Sequence, residues 1–298
     1  MELSWPMKLR IAAAVAVGVV LIGFLAWPLA APPEPFSAVS VTAGNVSLGG
    51  AVVLAALAFL AGFIAYFVSW PYGREIGILA VPGGLTIWAC RSGRMVSLIN
   101  RTAVGSQSQL FAALKWEPLF WLAIVAVGFT GVLLAQKVKP KPESENADKK
   151  TNSRTNIYVN VVIALAASVL IAQLCISIFA QGTTLPDDKL GSVIVQPSAG
   201  QIIFAVFVSF GIAAFVVKAF LNMSYIWPTI ASGFVTAFSI VSYGKQDVLQ
   251  HLSLHWPTAF FSHAVISILP ISMVALGTLG SIAGYWMAIR YNYWRKHA

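Results

Sequence analysis

Seven stretches of this chain contain no Asp, Glu, Lys or Arg, and each is 17 to 32 residues long. An apolar run of about 18 residues or more matches the roughly 30 Å hydrocarbon core of a bilayer when it is helical. Each stretch is therefore a candidate membrane-spanning helix. The stretches are 11–30, 46–70, 118–136, 157–180, 201–217, 225–243 and 258–289.

The composition supports the same class of protein. The chain is 58% hydrophobic and 10% charged, whereas soluble domains carry about 25% charged residues. Strands of a membrane barrel are alternating segments of roughly ten residues, and these runs are longer and continuously apolar. The sequence therefore predicts an all-α, polytopic transmembrane helical bundle, with the lipid bilayer as its first partner.

The net charge of +9 does not indicate nucleic-acid binding. The Lys and Arg residues lie between and beside the spans, where cations anchor helices to anionic lipid and set their orientation. We expect an integral protein of a bacterial-type cytoplasmic (inner) membrane. Lys8 and Arg10 place the N-terminus in the cytoplasm, and the basic C-terminal tail is expected there as well. Residues 31–45, with Glu34 and no Lys or Arg, belong outside.

An eighth crossing at 76–90 makes this orientation consistent, because an odd number of spans would separate the two termini. With eight crossings, 13 of the Lys and Arg residues lie on the cytoplasmic side and 6 outside, whereas seven crossings divide them 9 to 10. The positive-inside rule favours eight. The segment is short and contains Pro82-Gly83-Gly84, a strong turn signal, so a re-entrant hairpin remains the alternative.

The chain divides into an N-terminal membrane half, 1–136, and a C-terminal membrane half, 157–298. Between them, 137–156 is predicted to be a flexible, basic, cytoplasmic linker. A cleaved signal peptide is the alternative for the first span, and a retained helix is preferred because no small-residue cleavage site follows it. The expected spans are about 11–30, 46–70, 76–90, 118–136, 157–180, 201–221, 225–243 and 260–289.

Small residues recur along two spans at helical spacing. In the second span they form one face of a helix, and small side chains there let two backbones approach closely. Either a helix of the same chain or a helix of another subunit can be the partner. The predicted packing residues are Ala51, Ala55, Ala58, Gly62, Ala65 and Ser69 in the second span and Gly277, Gly280 and Gly284 in the last.

The span 225–243 carries a stripe of hydroxyl residues at the same spacing. Interhelical hydrogen bonding is the simpler interpretation. The alternative is the wall of a water-accessible cavity for a small polar solute, to which Gln173 of the fifth span would add an amide. The stripe residues are Tyr225, Thr229, Ser232, Thr236, Ser239 and Tyr243.

Asp247, His251 and His255 share a helix face, and His263 follows. A carboxylate with two or three imidazoles binds Zn or Fe, so these residues are a possible metal site. The same stretch is amphipathic, and polar residues on the wet side of an interfacial helix are the preferred explanation. No other feature predicts a cofactor.

The sequence contains no other catalytic set. The first functional hypothesis is a non-catalytic subunit or anchor of a membrane complex, whose further partners would be other membrane subunits. The second is a passive channel or facilitator for a small solute, lined by the hydroxyl stripe. The third is a metal-dependent membrane enzyme that uses Asp247, His251 and His255.

Overall fold

The computed structural model describes residues 4–32, 34, 37–42, 44, 46–103, 106–140, 154–256 and 259–297. The predicted fold class is confirmed, because these residues form an all-α bundle with one small hairpin. Among them, seven helices are long and apolar enough to cross a membrane. Every long charge-free run of the sequence contributes one of the seven.

Twelve α-helices and three short strands are formed by the described residues. A π-helical segment, Val19–Leu25, continues α1, and a 3-10 turn, Gly77–Leu79, joins α3 to α4. The helices are α1 Trp5–Gly18, α2 Leu48–Val68, α3 Gly73–Ile76, α4 Ala80–Arg91, α5 Met95–Arg101, α6 Gln107–Leu114, α7 Glu117–Val138, α8 Arg154–Phe179, α9 Ala199–Leu221, α10 Ile226–Tyr243, α11 Gln246–His255 and α12 Pro270–His297. The strands are β1 Thr184–Asp187, β2 Gly191–Val195 and β3 Phe260–Phe261, antiparallel in the order β1-β2-β3.

Side-chain contacts define the two ends of the bundle. At the linker end, where α7 ends, the Tyr66 hydroxyl donates to the Lys139 carbonyl oxygen at 2.6 Å. The Lys139 ammonium also lies 4.2 Å from the Trp70 ring centre. At the opposite end, called here the hairpin end, the rings of Phe111 and Tyr243 are 4.9 Å apart. Helices α5, α6 and α11 and the three strands all lie at the hairpin end.

The segment 73–91 crosses the same depth as the first helix. The two run in the same direction, because later residues of this segment contact later residues of that helix. Gly83 packs against Val15, Gly84 packs against Ile22, and the rings of Trp88 and Trp27 are 6.0 Å apart. A re-entrant hairpin would return to the end at which it started, and this segment does not. Seven long helices and this shorter segment therefore run between the two ends of the bundle, and the two described ends of the chain lie at the linker end.

Pro140 sets the end of α7. The residue before a proline is driven away from helical geometry, and Lys139 is extended, with φ −128° and ψ 90°. Helix α7 continues to Val138 and α8 begins at Arg154, so helices include the first and last residues of the predicted linker. Residues 141–153 of that linker lie outside the described residues.

The last span begins later than its charge-free run. Residues 260–269, which were expected to be part of a span, instead form β3 and a 3-10 turn, Ala264–Ser267. Pro270 then occupies the first helical position, which its fixed φ favours. The side-chain amide of Gln196 donates to the Ser267 carbonyl oxygen at 3.0 Å and ties this segment to β2.

Helix α12 joins the two membrane halves. It packs on α4 and α7 of the first half and on α9 and α10 of the second. Of its apolar window, 72% of the residues are buried, against 22% for the first helix and for α8. The bundle is therefore built around α12, with α1 and α8 at its periphery.

Candidate functional site

The small residues of α2 pack on α7 of the same chain. A Cβ placed on Gly62 would collide with the carbonyl oxygen of Gly128, and one on Gly131 would collide with that of Phe59. Ala58 and Ala65 are fully buried on the same face. Gly128 and Gly131 were not predicted, because only the tertiary structure shows which helix meets the seam.

The small residues of α12 pack on α9 in the same way. A Cβ on Gly280 would collide with the carbonyl oxygen of Phe207, and one on Gly284 with that of Gly211. Gly277 faces the ring of Phe210 and also the Cβ of Ser232 on α10. Both predicted seams therefore have partner helices within this chain.

The hydroxyl stripe of α10 faces the bundle interior. Ser232 is fully buried and donates to the Thr229 carbonyl oxygen at 2.6 Å, and Thr236 donates to the Ser232 carbonyl oxygen at 2.8 Å. These two hydroxyls are satisfied on their own helix. The Thr229 hydroxyl is buried and has no partner among the described residues. Ser239 and Tyr243 also lie on the inward side of α10, and Tyr225, the residue before the helix, is partly buried.

The Asp and His residues that were predicted as metal ligands do not meet at one common point. Asp247 and His255 are exposed, and His263 is exposed at the start of a 3-10 turn. The rings of His251 and His255 stack with their centres 4.5 Å apart. No group of three His, Cys, Asp or Glu residues close enough to hold a metal ion occurs in the described part of the chain.

His251 meets a different carboxylate, that of Asp187 at the end of β1. Its Nε2 lies 2.9 Å from both carboxylate oxygens. The Trp256 indole donates to the same group at 2.7 Å, and the backbone N–H groups of Lys189 and Leu190 donate at 3.0 and 2.7 Å. These donors, the indole first, hold the pKa of Asp187 well below its usual value. Asp187 therefore fastens the hairpin to α11.

A second carboxyl group, Glu117, is buried where α7 begins. It is 2% exposed and accepts from the Ser40 hydroxyl at 2.6 Å, the Thr42 hydroxyl at 3.3 Å and the Trp121 indole at 3.1 Å. These hydrogen bonds connect the segment before α2, which carries Ser40 and Thr42, to the start of α7. Sequence reasoning did not identify it, because an acid in the first turn of a span is ordinary dipole complementarity.

Gln173 does not join the hydroxyl stripe. It lies on the outward surface of α8, where it is exposed between Leu170 and Leu174, which are 67% and 63% exposed. No described residue forms a hydrogen bond with its amide. Ser177, one turn further on, is also exposed, but its hydroxyl donates to the Leu174 carbonyl oxygen at 2.7 Å.

Among the described residues, seven apolar helices of spanning length, with large apolar side chains exposed on the outside of the bundle, define a multi-pass membrane protein. Comparison with protein-family models, with curated proteins and with solved structures finds no match for this chain.

Proposed function

We propose that this chain is a non-catalytic subunit or anchor of a membrane complex, and that α8 docks on a transmembrane helix of another subunit. The observation that carries the proposal is the position of Gln173. Its primary amide is exposed on an apolar helix surface, in a helix long and apolar enough to cross a membrane.

The physical argument concerns the hydrogen-bonding groups of that amide. A primary amide has two N–H donors and an acceptor oxygen, and lipid tails satisfy none of them. Leaving such a group without a partner costs on the order of 1–3 kcal/mol by mutational measures. A hydroxyl or amide side chain on a neighbouring helix removes that cost, and such contacts contribute about 0.6–2 kcal/mol to helix association in membranes.

The surroundings of Gln173 favour α8 as the docking helix. α8 packs on α9, on α10 and on the 3-10 turn before α12, and its remaining surface carries large apolar side chains. Val162 is 66% exposed and Ile178 is 55% exposed on that surface. An apolar surface with one amide near its centre suits a partner helix with one matching polar residue.

The test is gentle purification of the full chain, followed by mass spectrometry of everything that copurifies. We expect a stoichiometric membrane partner with the wild type and with Ser177→Ala, whose native hydroxyl is already satisfied on its own helix. Gln173→Leu should lose that partner. Wild-type protein that purifies alone would overturn the proposal, and solute flux through liposomes containing the chain alone would support the facilitator hypothesis instead.

A further inference from the structure

A recess at the hairpin end lies between helices α5, α6 and α11, the last residue of α10 and strand β3. Its volume is about 90 Å³. A water molecule needs roughly 10–15 Å³ by this kind of measure, and a cavity of about 150 Å³ holds benzene. The recess therefore has room for several heavy atoms, and a larger ring can enter it with one edge.

No charged residue lines the recess. Its twelve lining residues include no Asp, Glu, Lys, Arg or His. An ion that entered would lose part of its hydration shell and would meet no opposite charge, which is unfavourable. A neutral molecule does not have this cost, so the lining favours an uncharged ligand.

Four aromatic residues contribute to the lining. The rings of Trp256 and Phe260 are 4.8 Å apart, and those of Tyr243 and Phe261 are 6.1 Å apart. The Trp256 indole is held in place by its hydrogen bond to Asp187 at 2.7 Å. The face of an aromatic ring is apolar and slightly negative, so it attracts the C–H groups of a ligand.

The polar side chains of the lining have hydrogen-bonding groups that the protein leaves unused. No described residue forms a hydrogen bond with the amides of Asn100 and Gln107 or with the hydroxyl of Tyr243. An amide and a phenol offer both donors and acceptors. Ligand sites combine apolar walls with a few polar groups of this kind, which fix the orientation of the bound molecule.

Tyr243 is the most informative of these polar residues. It is only 4% exposed, yet its hydroxyl is not among the polar atoms that the protein encloses without a partner. The small accessible part of this side chain therefore includes the hydroxyl, and it opens onto the recess. Buried polar groups have a hydrogen-bond partner in the large majority of cases, so we expect this hydroxyl to bond to whatever occupies the recess.

We propose that the recess binds a sugar ring through one edge. A sugar is uncharged, its hydroxyl groups donate and accept hydrogen bonds, and its C–H groups pack on aromatic rings. The hydroxyls of the inserted edge bond to Gln107 and Tyr243, and the C–H groups lie against Trp256 and Phe260. The rest of the ring stays at the mouth beside Asn100, which is exposed. Both a free sugar and the headgroup of a glycolipid have this chemistry.

The experiment measures the thermal unfolding midpoint of the full chain with two kinds of probe. The free probes are the methyl glycosides of glucose, galactose and mannose, titrated in a polyoxyethylene detergent, which has no sugar headgroup. The lipid probes are phosphatidylcholine vesicles with and without glucosyl or galactosyl diacylglycerol. We expect at least one sugar to raise the midpoint of the wild type in a saturable manner.

Tyr243→Phe and Gln107→Leu each remove one hydrogen-bonding group from the lining. Because neither group has a partner among the described residues, both variants should keep the wild-type midpoint without sugar. Each should weaken the apparent affinity for the sugar about fivefold, the effect of losing one neutral hydrogen bond.

Gln109→Leu is the matched control, because Gln109 is exposed on the same helix as Gln107 and does not line the recess. Its response should equal that of the wild type. A response to a methyl glycoside identifies a soluble sugar as the ligand, and a response to glycolipid vesicles alone identifies a headgroup. Equal affinities in the wild type, Tyr243→Phe and Gln107→Leu, or no saturable response to any probe, would overturn the proposal.

Discussion

The indole N–H of Trp256 donates to the carboxylate of Asp187 at 2.7 Å, so the residue after α11 is held by the turn that ends β1. The same carboxylate faces His251 Nε2 at 2.9 Å. Strand β1, helix α11 and the residue that follows α11 are therefore joined through the side chain of Asp187. The arrangement has a consequence for stability as a function of pH.

The contribution of Asp187 to the free energy of unfolding should disappear at acidic pH. Its pKa is lowered in the folded chain, so folding favours the carboxylate. The stabilisation is complete above the ordinary aspartate pKa of about 3.9 and is lost as the pH falls from there toward the lower, folded value. Asp187→Asn should lower the thermal unfolding midpoint at pH 7, and the difference from the wild type should shrink below pH 4. Asp188→Asn, an exposed neighbour, should leave the midpoint unchanged at both pH values.

Gly62→Ala should separate α2 from α7. The added Cβ would overlap the Gly128 carbonyl oxygen, and overpacking of this kind costs about 1–3 kcal/mol. The measurement is thermal unfolding in detergent. Gly49→Ala is the control on the same helix, because nothing lies within 4 Å of its Cβ position. If both variants unfold at the same temperature, the close contact at Gly62 is not what stabilises this pair of helices.

Thr229→Val should stabilise the protein. The native hydroxyl is buried without a partner among the described residues, and an unsatisfied buried hydroxyl costs about 1–3 kcal/mol. Thr236→Val is the matched comparison, since its hydroxyl donates to the Ser232 carbonyl oxygen at 2.8 Å. It should be neutral or mildly destabilising. A stabilising effect of equal size at both positions would show that valine is simply preferred in α10.

Ser40→Ala should destabilise the chain through Glu117. The Ser40 hydroxyl donates to Glu117 at 2.6 Å, whereas the Thr42 bond is longer, at 3.3 Å. A hydrogen bond contributes about 0.5–1.5 kcal/mol net, and the longer Thr42 contact is the weaker of the two, so Thr42→Val should cost less than Ser40→Ala. A double-mutant cycle with Glu117→Gln measures the coupling between the two side chains. Additive effects of Ser40→Ala and Glu117→Gln would contradict this interpretation.

The bilayer explains why the spans were predictable from sequence. A helix that crosses a bilayer must be long, apolar and uncharged, and each of the seven long runs contributes a helix long and apolar enough to do so. The spacing of Ala58, Gly62 and Ala65 predicted one packed face of α2, and those residues are buried. The partner of that face depends on how the helices are arranged, so the identity of α7 was not predictable.

Other features could not be predicted because they join residues distant in sequence. His251 and Asp187 are 64 positions apart, and local spacing directed attention to Asp247 instead. The burial of Glu117 requires the segment that carries Ser40, which is 77 residues away. The start of the last span was placed too early, because hydropathy alone does not distinguish a buried irregular segment, residues 260–269, from a helix.

The grouping of both described chain ends with the end of α7 has a consequence for access from solution. Ser4, Lys139 and Arg290 lie at one end of the bundle, so we expect a membrane-impermeant reagent that modifies one of these sites in sealed vesicles to reach all three. A soluble factor on that side would reach the residues that flank 141–153 and the last turns of α12 together. Asp187 lies at the opposite, hairpin end, so we expect reagents and protons to reach it only from the other side of the membrane.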